Sequence, residues 1–165
     1  MIYCKAILHK AGLGDRLFPW ARCRIFSYVN DIPMLATTWI QIIVGPILRG
    51  ENDSRIYHDL FKANSRDIHG LKKIYIEYIS KKTPEPEVFN QPFKFKPLDN
   101  TLFQFYGSKE YFLNLNTWQE LLYNEIRLIT HEKWLKKVKP VLIVVVLVLF
   151  VLKSVMKLSV RIAEP

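Results

Sequence analysis

The chain has little cysteine and little histidine, and both scarcities exclude classes of protein. Its 165 residues include two cysteines and four histidines. Two cysteines cannot form the disulfide framework of a small secreted protein, so we expect Cys4 and Cys23 to be buried as small apolar side chains. His58 and His131 have no cysteine, histidine or carboxylate at metal-ligand spacing, which argues against a zinc site. An Asp-x-Asp pair is absent too, so we expect no metal.

Acidic residues are outnumbered, with 15 Asp and Glu against 24 Lys and Arg, which gives a formal charge of +9. No helix-turn-helix, zinc or RNP signature accompanies the basic residues, so nucleic acid is not the expected partner. Nucleotide sugars or lipid headgroups would use the same charge. Lys5 interrupts the first apolar run, which argues against a cleavable signal peptide and favours a cytoplasmic protein.

An apolar strand passes into a helix through two glycines near the start of the chain. Residues 2–9 are rich in β-formers and predict a buried strand. Gly12 and Gly14 would permit positive φ angles and close backbone approach. An amphipathic helix is expected over residues 15–30, with Pro19 in its first turn, where an amide has no intrahelical acceptor. The helix is indicated by apolar residues at helical spacing, namely Phe18, Ala21, Ile25 and Val29.

This junction favours an anionic ligand. A helix N-terminus offers unpaired amides and the positive end of the helix dipole, and glycines let a phosphate approach them. The alternative is that the two glycines serve only the turn, and their spacing alone does not decide between the two interpretations.

The remainder of the chain alternates between predicted strands and helices, which favours an α/β layered domain. The predicted elements are a strand at 32–36, a strand at 73–79, an irregular proline-rich connection over 83–100, a strand at 101–106 and a helix from Thr117. Thr117 and Glu120 have the spacing of a capping box, which predicts the start of that last helix. Its apolar stripe includes Leu121, Leu122, Leu128 and Ile129.

The segment Gly12-Leu13-Gly14-Asp15-Arg16-Leu17-Phe18, followed by Asp31-Ile32-Pro33, resembles the amino terminus of the bacterial α-1,2-fucosyltransferase-like glycosyltransferases (family 11-like). Residues 39–49, which end at Arg49, and residues 55–61, which begin at Arg55, resemble the same amino-terminal half. The resemblance covers about residues 1–140. It implies a Rossmann-like amino-terminal half of a GT-B glycosyltransferase over residues 1–139, followed by an apolar tail over 140–165.

The resemblance also implies a function. A sugar would pass from a nucleotide-sugar donor such as GDP-fucose to a glycan hydroxyl, without a metal. Gly12, Leu13, Gly14, Asp15 and Arg16 would contact substrate, and no catalytic residue is identified. The family usually has Asn where this chain has Asp15, and a carboxylate there would repel a diphosphate. The alternative is that Asp15 caps the helix and Arg16 is solvated.

The carboxy-terminal half of the family carries a His-x-Arg-x-x-Asp motif that resembles a diphosphate clamp, and no part of this sequence matches it. We therefore expect a chain that is inactive alone, or active only with a separately encoded carboxy-terminal half. A frameshift near codon 140 would explain the loss. That hypothesis fails if the downstream DNA encodes no such motif in another frame.

The tail contains twelve uninterrupted apolar residues, 141–152. A twelve-residue helix spans about 18 Å, less than the roughly 30 Å of bilayer hydrocarbon. Extended over 141–160, with its lysines reaching the interface, it would hold the domain on the cytoplasmic face of a membrane. A buried strand or a core helix are the alternatives. The second functional hypothesis is thus a small, non-catalytic, membrane-anchored interaction protein.

Overall fold

A computed structural model describes residues 1–9, 12–40, 57–92, 100–107 and 115–137. It contains helices and parallel strands, as expected for the α/β class. The elements in chain order are β1 (Ile2–Ala6), α1 (Leu13–Asn30), α2 (Gly70–Ile79), β2 (Lys81–Pro84), β3 (Thr101–Phe105), a 3-10 turn (Asn116–Trp118), α3 (Gln119–Ile129) and α4 (Glu132–Lys137).

The three strands form a parallel sheet in the order β1-β3-β2. Both neighbours of β3 are in register with its first residue, since Ile2 and Lys81 each lie opposite Thr101. Single bridges continue the pairing beyond β1, from Cys4 to Met34 and from Leu35 to Ile68, and both are parallel. The predicted strand at 32–36 is therefore present as two bridging residues.

The sheet is covered by a helix on each face, because successive side chains of a strand point to opposite sides. On one face Cys4 and Phe105 pack with α1 in the larger apolar cluster. On the other face the single buried residue of α2, Ile76, packs against three sheet residues, namely Tyr3, Leu35 and Leu102. Cys4 and Cys23 are both buried free thiols, as the sequence predicts.

Helix α1 is buried on every side over residues 16–26, which corrects the expectation of an amphipathic helix with one solvated face. Its residues from 16 to 26 are all buried, and they include Arg16, Arg22 and Arg24. The helix also begins at Leu13, two residues earlier than expected. Pro19 therefore lies beyond the first turn, and the prediction that it lies within that turn is wrong.

The predicted strand at 73–79 is wrong, because this segment is part of helix α2. Its alternating isoleucines and tyrosines match a strand, but β-propensity depends on which side chains are buried. In the helix only Ile76 is buried, and Nζ of Lys73 lies 4.0 Å from the carboxylate of Glu77, one turn later. The strand begins just afterwards, at Lys81.

The predicted carboxy-terminal helix is present, but its capping box is not. Thr117 lies within the 3-10 turn, and α3 begins at Gln119 with Trp118 at its N-cap and no side-chain cap. Leu122 and Ile129 are buried as expected, whereas Leu128 is 51% exposed. Glu125 is buried among them.

Several predictions lie outside the described residues. These are the apolar tail at 140–165 with its membrane-spanning alternative, the segment 41–49 with Arg49, and Arg55. Within the described ranges, no helix has the length and apolar character that crossing a bilayer requires.

Candidate functional site

The predicted ligand-binding residues lie at the carboxyl edge of the sheet. β1 ends at Ala6, and α1 begins at Leu13 on the same side. β3 is the direct neighbour of β1 and runs parallel to it, so Gly107, two residues beyond β3, lies at this edge as well. Open parallel sheets bind ligands outside the carboxyl ends of their strands. We name this region the carboxyl-edge site and define it by residues 12–16, His9 and Gly107.

The two glycines of the site leave open space beside the backbone. Gly12 has φ −64° and ψ 167°, and neither Gly12 nor Gly14 has a positive φ, so the turn does not need glycine for its conformation. The expectation of positive φ angles is therefore wrong. A Cβ added at either residue would have no atom within 4 Å. A ligand can approach the helix N-terminus closely at both positions.

The first turn of α1 has no side-chain cap. Gly12 is the N-cap residue, and its carbonyl accepts a hydrogen bond from the Arg16 amide at 3.3 Å. Asp15 is not the cap; it is the third residue of the helix and is half-buried. Its carboxylate stabilises the helix dipole but opposes a second anion at the same end.

Arg16 is buried rather than solvated. Its side chain is 0% exposed, and its guanidinium carbon lies 4.9 Å from the centre of the Tyr57 ring. This stacking against an aromatic face is the geometry that stabilises a desolvated arginine. Arg16, the fourth residue of the helix, is therefore a buried cation, whereas Gly14 is exposed.

The turn after β3 is held in place by Arg22 of α1. Nη2 of Arg22 donates to the carbonyl oxygens of Tyr106 at 3.0 Å and Gly107 at 2.9 Å. Gly107 has φ +76°, a conformation that glycine adopts without strain. A buried ion pair with Glu85, directly after β2, fixes the guanidinium. α1, β2 and β3 are thereby tied together at the carboxyl edge.

His9 is the site residue that the sequence reasoning missed. It follows β1, and its ring atoms Cε1 and Nε2 are 4.0 Å from the position of a Cβ built on Gly107. Nε2 is shielded from solvent, and within the described part of the chain it has no hydrogen-bond partner. The sequence placed His9 at the end of a strand predicted over residues 2–9, whereas β1 ends at Ala6, so the position of His9 in the loop at the carboxyl edge was not apparent.

A second group of buried charges joins α1 to the segment 64–67 and to α3. Nη2 of Arg24 donates to both carboxylate oxygens of Asp67, at 2.8 and 2.7 Å, and Nε of Arg24 lies 3.5 Å from Oε2 of Glu125. Arg66 and Asn64 donate to Glu125 as well. Burial raises the pKa of Asp67 above its ordinary value, although the Arg24 charge opposes the shift. This group is structural, because its charged side chains pair with one another and link α1 to the segment 64–67 and to α3.

The residues that the structure describes contain no group of three or more His, Cys, Asp or Glu side chains placed to hold a metal ion. No protein-family model, curated protein or solved structure matches the chain. The geometry of the carboxyl-edge site therefore carries the functional argument.

Proposed function

We propose that this chain is the amino-terminal half of a fucosyltransferase-like glycosyltransferase, and that its carboxyl-edge site receives the diphosphate of a nucleotide sugar such as GDP-fucose. The transfer itself, to a glycan hydroxyl, requires a second half that supplies the diphosphate clamp. The observation that carries the proposal is the uncapped N-terminus of α1 beside two glycines that have open space above them.

Three properties of the site support an anionic ligand. The unpaired amides of the first turn point towards the carboxyl edge, and the helix dipole favours negative charge there. Arg16 adds a buried positive charge. Nε2 of His9 is a shielded ring nitrogen that lacks a partner among the described residues, and a phosphate oxygen would supply one. In a glycosyl transfer, such groups stabilise the leaving diphosphate.

Isothermal titration of the full chain with GDP and with GDP-fucose tests the proposal. We expect both ligands to release or absorb heat with one site per chain. Gly12→Val should abolish binding, because its side chain fills the open space, while its φ of −64° suits a valine and preserves the fold. The matched control is His69→Val, at the extended N-cap of α2, which should bind as the parent does.

Asp15→Asn makes the test more specific to this site. Removing the carboxylate from the first turn should tighten GDP binding by about twofold to fivefold, which corresponds to about 0.3–1 kcal/mol of repulsion near a helix N-terminus. The proposal fails if folded protein, verified by circular dichroism, gives no heat with either nucleotide. That result would favour the non-catalytic interaction protein.

A further inference from the structure

The outward side of α2 is apolar. We call it the α2 apolar face and define it by five residues with large exposed fractions: Leu71 (85%), Ile74 (64%), Tyr75 (63%), Tyr78 (88%) and Ile79 (40%). At 100° per residue these positions share one side of the helix. The inward side contributes only Ile76 to the core. The helix thus exposes more apolar surface than it buries, which marks an interaction surface.

The only acidic residue of α2 is turned away from this face. Glu77 is half-buried against the sheet, where its carboxylate lies 2.9 Å from Nζ of Lys5 and 4.0 Å from Nζ of Lys73. The α2 apolar face therefore presents no negative charge of its own.

Lysines border the same face. Lys72 lies on α2, and Lys82 of β2 lies opposite Leu102 in the register, on the face of the sheet that α2 covers; both lysines are exposed. Across the described ranges no carboxylate forms an ion pair with either of them. Two uncompensated cations thus lie on the side of the sheet that carries the apolar and tyrosine-rich surface.

We propose that the α2 apolar face docks on an anionic phospholipid surface. Leucine and isoleucine enter the boundary between headgroups and acyl chains, tyrosine rings lie at headgroup level, and lysines contact the lipid phosphates. Each lysine near an anionic membrane contributes about as much as a fivefold change in partitioning. A second copy of the chain is the less suitable occupant, because symmetric pairing would bring the lysines of the two copies together. Nucleic acid would leave the aliphatic side chains without a partner.

The test uses the full chain with a fluorescent label at the face. Cys4 and Cys23 are 0% exposed, so a single introduced surface cysteine takes an environment-sensitive nitrobenzoxadiazole probe selectively. Tyr75→Cys places the probe on the α2 apolar face. Leu128→Cys, at a 51% exposed position on α3, is the matched control. Each protein is mixed with vesicles of phosphatidylcholine alone and with vesicles of equal parts phosphatidylcholine and phosphatidylglycerol.

We expect the probe at position 75 to shift to the blue and brighten with the anionic vesicles only, and the probe at 128 to remain unchanged. Salt at about 1 M, where the Debye length is about 3 Å, should reverse the shift. Lys72→Gln combined with Lys82→Gln should weaken partitioning about thirtyfold.

Two results would overturn the proposal. One is sedimentation of the chain with vesicles while the probe at 75 stays unchanged, since a different part of the chain would then bind the lipid. The other is a concentration-dependent dimer, without vesicles, that Tyr78→Asp converts to monomer.

Discussion

Arg22 of α1 and Glu85, which follows β2, form a buried ion pair. Nε of Arg22 donates to Oε2 of Glu85 at 2.9 Å, Nη2 donates to Oε1 at 3.3 Å, and each side chain is 5% exposed. The same guanidinium holds the carbonyls of Tyr106 and Gly107. One side chain thus joins a buried helix to the ends of two neighbouring strands.

Glu85→Gln should lower the free energy of unfolding by about 3 kcal/mol, because it leaves a buried cation without its counter-ion. Arg22→Met should lower the free energy of unfolding further, because the carbonyls of Tyr106 and Gly107 then also lose their hydrogen-bond donor. Urea denaturation measures both. Glu87→Gln, at an exposed position nearby, should change stability by less than about 0.5 kcal/mol. Equal losses at positions 85 and 87 would show that the ion pair has no structural role.

Two glycines at the carboxyl-edge site should respond to alanine with opposite signs. Gly14→Ala should raise the free energy of unfolding by about 0.4–1 kcal/mol, because the residue is helical and its Cβ meets no neighbour. Gly107→Ala should lower it by about 1–2 kcal/mol, because φ is +76°. Thermal melts of the two variants side by side make the comparison. A higher stability for both alanine variants would contradict the positive φ of Gly107.

Asp67 should make stability depend on pH. Burial raises the pKa of its carboxyl above the value in the unfolded chain, so the native state binds its proton more tightly. The resulting stabilisation is complete below about pH 4 and is lost as pH rises through the native pKa. The free energy of unfolding of the parent, minus that of Asp67→Asn, should therefore fall as pH rises from about 4 through the native pKa, as measured by urea titrations at a series of pH values. A difference that stays constant with pH would contradict the shift.

Cys4 and Cys23 should react with Ellman's reagent only when the chain opens. Both are 0% exposed, and burial raises the pKa of the Cys23 thiol well above its ordinary value, with a further contribution from a hydrogen bond to Cys4. The thiolate is the reactive species. We expect negligible labelling in buffer and two thiols per chain in denaturant. Fast labelling of the native protein at either cysteine would contradict their burial.

Strands β1 and β3 were predictable because each is a short segment rich in β-formers, and most of their residues are buried. Helix α1 was predictable from its period of apolar residues, but the burial of all residues from 16 to 26 was not. An arginine in a sequence normally predicts a solvent-exposed position. Arg22 and Arg24 are buried because Arg22 pairs with Glu85 and Arg24 pairs with Asp67, which are both distant in the sequence. No local pattern contains those partners.

In the segment around Ile76, the local sequence pattern predicted the wrong secondary structure. Its alternation of isoleucine and tyrosine is typical of a strand, yet only one of these side chains reaches the core. The alternation was misleading because the exposed side chains are apolar as well. At the candidate site, the glycines and Asp15 were visible in the sequence, whereas the approach of His9 to Gly107 depends on two parallel strands that are remote in the chain.

The pairing of β1 with β3 has a consequence for biosynthesis. β1 precedes α1, α2 and β2 in the chain, and one of its edges is completed only by β3, which is synthesised after them. Contacts between such distant segments form slowly, and an unpaired apolar strand edge is prone to aggregate meanwhile. Because α1 follows β1 directly among the described elements and packs against it, α1 can cover one face of β1 before β3 is synthesised.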